Sequence, residues 1–155
     1  MNILAFDTSM GFCTVALSYQ GKVFVKTDHT PMAQAERLVA IIDELIKEAK
    51  VDYNKLDLIA VGKGPGSFTG IRVAIAAAKG LGVALKKPIC AVDNFHILYE
   101  QLQECEDFAK AAIIFEAGKG KTECYIAIFD GKGKILLEPK VFQYNKLLEI
   151  VDHKE

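Results

Sequence analysis

The 155 residues contain no C-x-x-C, no H-x-x-x-H and no H-E-x-x-H pattern. Cys13, Cys90, Cys105 and Cys124 are too widely spaced to signal a zinc or thioredoxin-like site, and free, partly buried thiols in a reducing cytosol are expected. His29, His96 and His153 fall at no helical ligand spacing, so an all-protein metal site is not expected. An excess of one charge is also missing. Lys plus Arg is 19, Asp plus Glu is 20 and the formal net charge is -1. The whole chain therefore exerts no global pull on a phosphate backbone, and any RNA contact needs a local patch or a partner. The opening apolar run stops at Asp7, too short for a signal-peptide core, and no run is expected to span a membrane. A cytoplasmic location is the expectation. Internal repeats and low-complexity tracts are absent.

What is present is a globular composition, 51% hydrophobic and 25% charged, in a chain long enough for one domain or two small lobes. Ile3–Phe6, Cys13–Ser18 and the alternation around Val23 and Val25 predict three strands, the last two joined through Gln20 and Gly21. Thr30 and Pro31 predict the start of a helix, with Thr30 as cap. Leu38, Ile41, Ile42, Leu45 and Ala49 form its apolar stripe, and Asp43 and Lys47 form an i,i+4 pair on the other side. Asp57–Val61 reads as a strand, Thr69–Lys86 as a helix, Pro88–Val92 as a strand and Asn94–Gln103 as a helix with Phe95, Leu98 and Leu102 on one side. Strands over Ala111–Phe115, Cys124–Phe129 and Ile135–Phe142 follow, the last two joined by a hairpin turn at Asp130–Gly133. Asn145–Val151 could add one or two helical turns. This order predicts a mixed α/β sheet with helices on its faces. The second run of three strands resembles the opening module begun again.

Gly62, Gly64, Gly66 and Gly70, with Pro65 among them, crowd nine residues between a strand and a helix. Two readings stand level. The loop is a phosphate cradle at a helix N-terminus, or it is a tight turn capped by Ser67 or Thr69. It fits neither G-x-G-x-x-G, because Thr69 stands where a glycine is required, nor a Walker A loop, because Ser67 does. Gly120, Lys121 and Thr122 copy only the tail of a Walker A, and Lys119 and Lys121 read as a solvated loop. Asp7, Thr8 and Ser9 end the first strand, where an acidic group with hydroxyls can hold a metal-bound phosphate or cap its own turn. The candidate phosphate or nucleotide set is Asp7, Thr8, Ser9, Gly64, Gly66, Ser67, Thr69 and Gly70. A Ser67 nucleophile lacks the closing glycine of G-x-S-x-G, since Phe68 is followed by Thr69.

The segment from Ile71 to Leu85 carries only two charges, Arg72 and Lys79, which with Lys86 share an arc of about 40°. Ala74, Ala78 and Gly82 repeat at i+4, and so do Ala76, Gly80 and Ala84, spacing that lets helices approach closely. One sheet face covers about half of such a helix, and each exposed Val, Leu or Ile forfeits about 1.5–3 kcal/mol. The apolar surplus predicts an interface for another helical pair, formed by Leu38, Ile41, Ile42, Leu45, Arg72, Ile75, Ala76, Lys79 and Val83.

Ile3–Ser9, the Thr14–Leu17 strand and above all Gly64–Val73 resemble the TsaB (YeaZ) family over about residues 1–130. The resemblance implies an actin-like, RNase H-like fold of the sugar kinase/Hsp70 superfamily, with a first lobe over 1–106 and an incomplete second lobe over 107–155. It implies a non-catalytic scaffold that binds TsaD, the transferase that makes threonylcarbamoyladenosine next to the tRNA anticodon. A TsaE-like ATPase joins that assembly, a homodimer forms in isolation, tRNA is reached only through the complex, and no cofactor, catalytic residue or membrane is implied. The rival readings are a nucleotide- or phosphate-binding module and a glycoprotease-like hydrolase. Two departures stand out. Phe115, Glu116, Ala117 and Gly118 occupy the place of the family's Asp-Ala-Arg, so the arginine is missing. The chain also ends soon after Phe142, short of usual members, so a nucleotide clamped between two full lobes is not expected.

Overall fold

Alternating apolar residues at the start of the chain produce a meander. Ile3–Asp7 (β1), Cys13–Tyr19 (β2) and Lys22–Asp28 (β3) pair antiparallel. The computed structural model describes residues 1–30, 33–105, 107–117 and 122–147. Gln20 (φ 49°) and Gly21 (φ 76°) form the β2–β3 turn, whose two left-handed residues match the twist of the strands. Gln34–Glu48 (α1), Leu58–Gly62 (β4), Phe68–Leu85 (α2) and Ile89–Val92 (β5) follow. β4 adds parallel to β1, and β5 parallel to β4, giving the order β3-β2-β1-β4-β5.

One face of this sheet carries Leu4, Phe6, Val15, Leu17, Ile59 and Val61, all buried. Both helices pack on that face, α1 on β2 and β3, α2 mainly on β4. The expected mixed sheet with flanking helices is thus found, with α1 and α2 on the same face of this unit's sheet. Leu38, Ile41, Ile42 and Leu45, expected at a partner interface, are 1%, 1%, 2% and 1% exposed. Their stripe is the one that fits the apolar sheet face, so the chain consumes it itself. The start of α1 also differs. Ala33 flanks it with no side-chain cap, and the Thr30 amide instead donates to Asp28 at 2.8 Å; Pro31 lies outside the described residues. The Asp43–Lys47 pair forms at 2.6 Å.

α2 departs from the expectation that no segment is long and apolar enough to span a membrane. Its 18 residues have a mean hydropathy of 1.5. Length and composition are all that this shows. Gly70, Ala74, Ala78 and Gly82, one i+4 row, are buried within the unit.

The chain divides into Met1–Asp93 and Asn94–Glu155. Asn94–Cys105 (α3) thus belongs with the second unit, and the expected boundary at 106/107 moves to 93/94. The cause is aromatic. Phe95 meets Phe115 edge-on at 5.1 Å, and Tyr99 stacks on Phe129 at 4.8 Å. Tyr99 rather than Leu102 completes the buried side; Leu102 is 40% exposed. Lys110–Ala117 (β6), Glu123–Asp130 (β7) and Ile135–Gln143 (β8) form an antiparallel sheet in the order β6-β7-β8. Asp130 holds the β7–β8 turn by accepting from the amides of Lys132 (2.8 Å) and Lys134 (2.9 Å). A single 3-10 turn, Tyr144–Lys146, follows β8. The expected helix to Val151 and the Lys119–Lys121 loop lie outside the described residues.

Candidate functional site

Two places on the first unit gather the residues singled out from the sequence. The first is the junction where β1 ends and α2 begins. The Asp7 carboxylate accepts from the Ser9 amide at 2.8 Å and from the Ser9 hydroxyl at 2.9 Å. Thr8 is fully buried, and its hydroxyl donates to the Gly70 carbonyl at 2.6 Å. The Ser9 carbonyl accepts from the Ser67 amide at 2.8 Å, and the Ser67 hydroxyl caps α2 by accepting from the Gly70 amide at 3.3 Å.

The glycines have a steric cause. A Cβ on Gly70 would stand 2.0 Å from the Thr8 carbonyl oxygen, and one on Gly66 would stand 2.7 Å from that of Ser9. Gly64 takes φ 92°, which L side chains rarely adopt. The structure thus brings Asp7, Thr8, Ser9, Gly66, Ser67 and Gly70 into one locked knot. Thr69 does not join its hydrogen bonds and lies exposed. Of the two readings of the loop, the arrangement supports the tight turn capped by Ser67. The Ser67 amide is given to the Ser9 carbonyl, and the Gly70 amide in the first turn of α2 to the Ser67 hydroxyl. No three His, Cys, Asp or Glu side chains converge to hold a metal among the described residues. His29 lies tilted against Phe12, with ring centroids 5.3 Å apart, and His96 meets Phe129 edge-on in the second unit. Burial pushes the Cys13 thiol up to about 11, with nearby Asp28 adding to the rise, which disfavours the thiolate that a nucleophile or metal ligand needs.

The second place is the outer face of α2. Arg72, Ala76, Lys79 and Val83 are exposed along it, while Ile75 is half-buried. Val83 is 81% and Phe68 is 73% exposed, and the Arg72 guanidinium lies over the Phe68 ring at 4.9 Å. Gly80 and Ala84 share this side, and a Cβ on Gly80 would meet nothing within 4 Å. Phe68, Gly80 and Ala84 were not among the expected interface residues, although the repeat at Ala76, Gly80 and Ala84 signals the face. α1 contributes differently. Val39 is its large exposed apolar side chain; around it run charges paired with β3 and along the helix. Arg37 bonds Asp28 at 2.7 Å, and Lys26 reaches Glu44 and Glu48 at 3.3 Å. Of the two helices, α2 therefore presents the wider exposed apolar face, with Phe68 and Val83 open and small residues between them.

The fold is a mixed sheet with flanking helices, of the actin-like, RNase H-like class. The family described as "TsaD: tRNA N6-adenosine threonylcarbamoyltransferase" matches residues 30–152. YeaZ from Pseudomonas aeruginosa superposes with a TM-score of 0.84 at 30% identity, covering 94% of this chain and 68% of that one. The tRNA threonylcarbamoyladenosine biosynthesis protein TsaB of Buchnera aphidicola (Baizongia pistaciae) is 32% identical, over 76% of this chain and 53% of its own. TsaB of Haemophilus influenzae is 34% identical, over 72% and 48%. The chain belongs to the TsaB (YeaZ) family. It spans about half the length of the curated relatives it matches.

Proposed function

We propose that the chain is a non-catalytic scaffold in the making of threonylcarbamoyladenosine in tRNA, docking a TsaD-like transferase through the outer face of α2. The observation that carries this reading is an 18-residue apolar helix with Val83 and Phe68 left in the open. Burying those two side chains is worth about 1.5–3 kcal/mol each. Arg72 and Lys79 on the same face would order an acidic rim of the partner. In isolation a second copy covers the face, giving a homodimer. A TsaE-like ATPase joins the assembly, tRNA is met only through the complex, and the work is done in the cytoplasm without a cofactor. The locked junction at Asp7–Ser9 and Gly66–Gly70 supports α2 in place and carries no reaction.

The test is binding to a TsaD protein. Val83→Glu and Ala76→Arg are expected to weaken it at least tenfold in a pull-down or by calorimetry, with the fold unchanged by circular dichroism. Unchanged affinity in both variants counts against this surface.

A further inference from the structure

α1 and α2 share one face of the first sheet for a topological reason. The connections β3–α1–β4 and β4–α2–β5 step the same way along the order β3-β2-β1-β4-β5. Right-handed crossovers that step the same way lay their helices on the same face. A cover for the other face therefore comes from outside Met1–Asp93. α3, the next helix, spends its apolar side on the second sheet, where Phe95 and Tyr99 are buried.

The side chains of that other face are mostly apolar. β1, β4 and β5 run apolar without alternation, as Ile3-Leu4-Ala5-Phe6, Leu58-Ile59-Ala60-Val61 and Ile89-Cys90-Ala91-Val92. Strands with one wet side alternate with polar residues, and strands buried on both sides do not. In register across the sheet, Val25, Ala16, Ala5, Ala60 and Cys90 form one row on the open side. Val23, Ser18, Ile3 and Leu58 make the row on one flank, and Thr27, Thr14 and Asp7 make a polar row on the other. Val23 and Val25 are 68% and 60% exposed, Cys90 is exposed, and the three alanines, Ile3 and Leu58 are half-buried. The alanines form a shallow trough between larger neighbours, a relief that admits the long side chains of a helix.

We propose that this face docks one amphipathic α-helix from the part of the family fold that this chain does not span. The match to YeaZ from Pseudomonas aeruginosa covers 68% of that chain, so roughly a third of it has no counterpart here. β1 and β2, of 5 and 7 residues, span about 16–23 Å. A helix of about 11–15 residues has that length. Its leucine or isoleucine stripe fills the alanine row, and a lysine or arginine at the end beside the polar row faces Asp7, the one charged strand residue on this face. The helix lies on the side of the sheet opposite α2. The docking of the transferase and the homodimer use the α2 side, so this inference stands or falls independently of both.

The test uses the full chain carrying Cys105→Ser, which leaves Cys90 as the exposed thiol among the described residues. The probes are synthetic peptides that tile the unmatched third of the P. aeruginosa protein, each long enough for one such helix. In the free chain Cys90 is expected to react with iodoacetamide at least tenfold faster than the buried Cys13. One peptide should slow Cys90 at least tenfold and gain helical circular dichroism as it binds. Val25→Glu, on the exposed end of the row, should remove that protection while the variant keeps the spectrum of the unaltered chain, and Ala16→Glu should do the same. Val39→Glu, exposed on the helix-covered side, should leave the protection intact. A Cys90 as slow as Cys13 in the free chain means that the face is already covered, and overturns the proposal. So does a set of peptides none of which protects Cys90, protection that survives both Val25→Glu and Ala16→Glu, or protection lost in Val39→Glu.

Discussion

Gly70 and Gly80 lie on one helix and meet opposite surroundings. A methyl group on Gly70 collides with the Thr8 backbone, and one on Gly80 meets nothing within 4 Å. Gly70→Ala is expected to cost about 3 kcal/mol, seen as a lower denaturant midpoint, because the obstacle is backbone and cannot swing aside. Gly80→Ala should raise stability by about 0.5–1 kcal/mol, the ordinary gain at an exposed helical site. Asp28 is the residue whose charge ties β3 to α1. The Thr30 hydroxyl, then the Arg37 guanidinium and the Thr30 amide, hold its carboxyl well below the usual carboxylate range. A carboxyl depressed in the folded state contributes stability above its unfolded value, about 3.9, and loses it as the pH falls toward the folded value. The melting temperature of Asp28→Asn should therefore trail that of the unaltered chain above pH 5, and the gap should close as the pH falls below 4.

Elements show which patterns a sequence makes legible. The order of strands and helices follows from hydrophobic period alone, because each element repeats a local rule several times. The stripe on α1 was equally visible, but periodicity states that a face must be covered and not by what. Here the sheet of the same unit takes Leu38, Ile41, Ile42 and Leu45. Ile42→Glu is expected to unfold the first unit, since the charge would enter a site 2% exposed, whereas Val39→Glu one turn away, 65% exposed, should shift stability by less than about 0.5 kcal/mol. Thermal melts of the two variants separate the faces. The start of α1 was misplaced because Thr30 and Pro31 carry a strong local signal while Asp28 claims the Thr30 amide. α3 was assigned to the wrong unit because its allegiance lies in the contacts of Phe95 and Tyr99 with Phe115 and Phe129, made across long sequence separations. At the junction, the glycines were conspicuous in the sequence, but that Gly66 and Gly70 exist to let two backbones touch could be learned only from the pairing of β1 and β4.

For the whole molecule, the decisive feature is an imbalance. The first unit buries the apolar face of its sheet beneath two helices and still leaves the outer side of α2 uncovered. Lys79 stands on that side, so its amine reports whether the face is open or occupied. The most direct measurement is the rate at which Lys79 is acylated by a water-soluble succinimidyl ester, in the chain diluted until it is a monomer and with a saturating TsaD protein, read by mass spectrometry. Labelling of Lys79 is expected to fall at least fivefold in the complex, while Lys22 on β3 labels at an unchanged rate. Equal labelling of Lys79 in the free chain and in a demonstrated complex would contradict the assignment of α2 as the docking face.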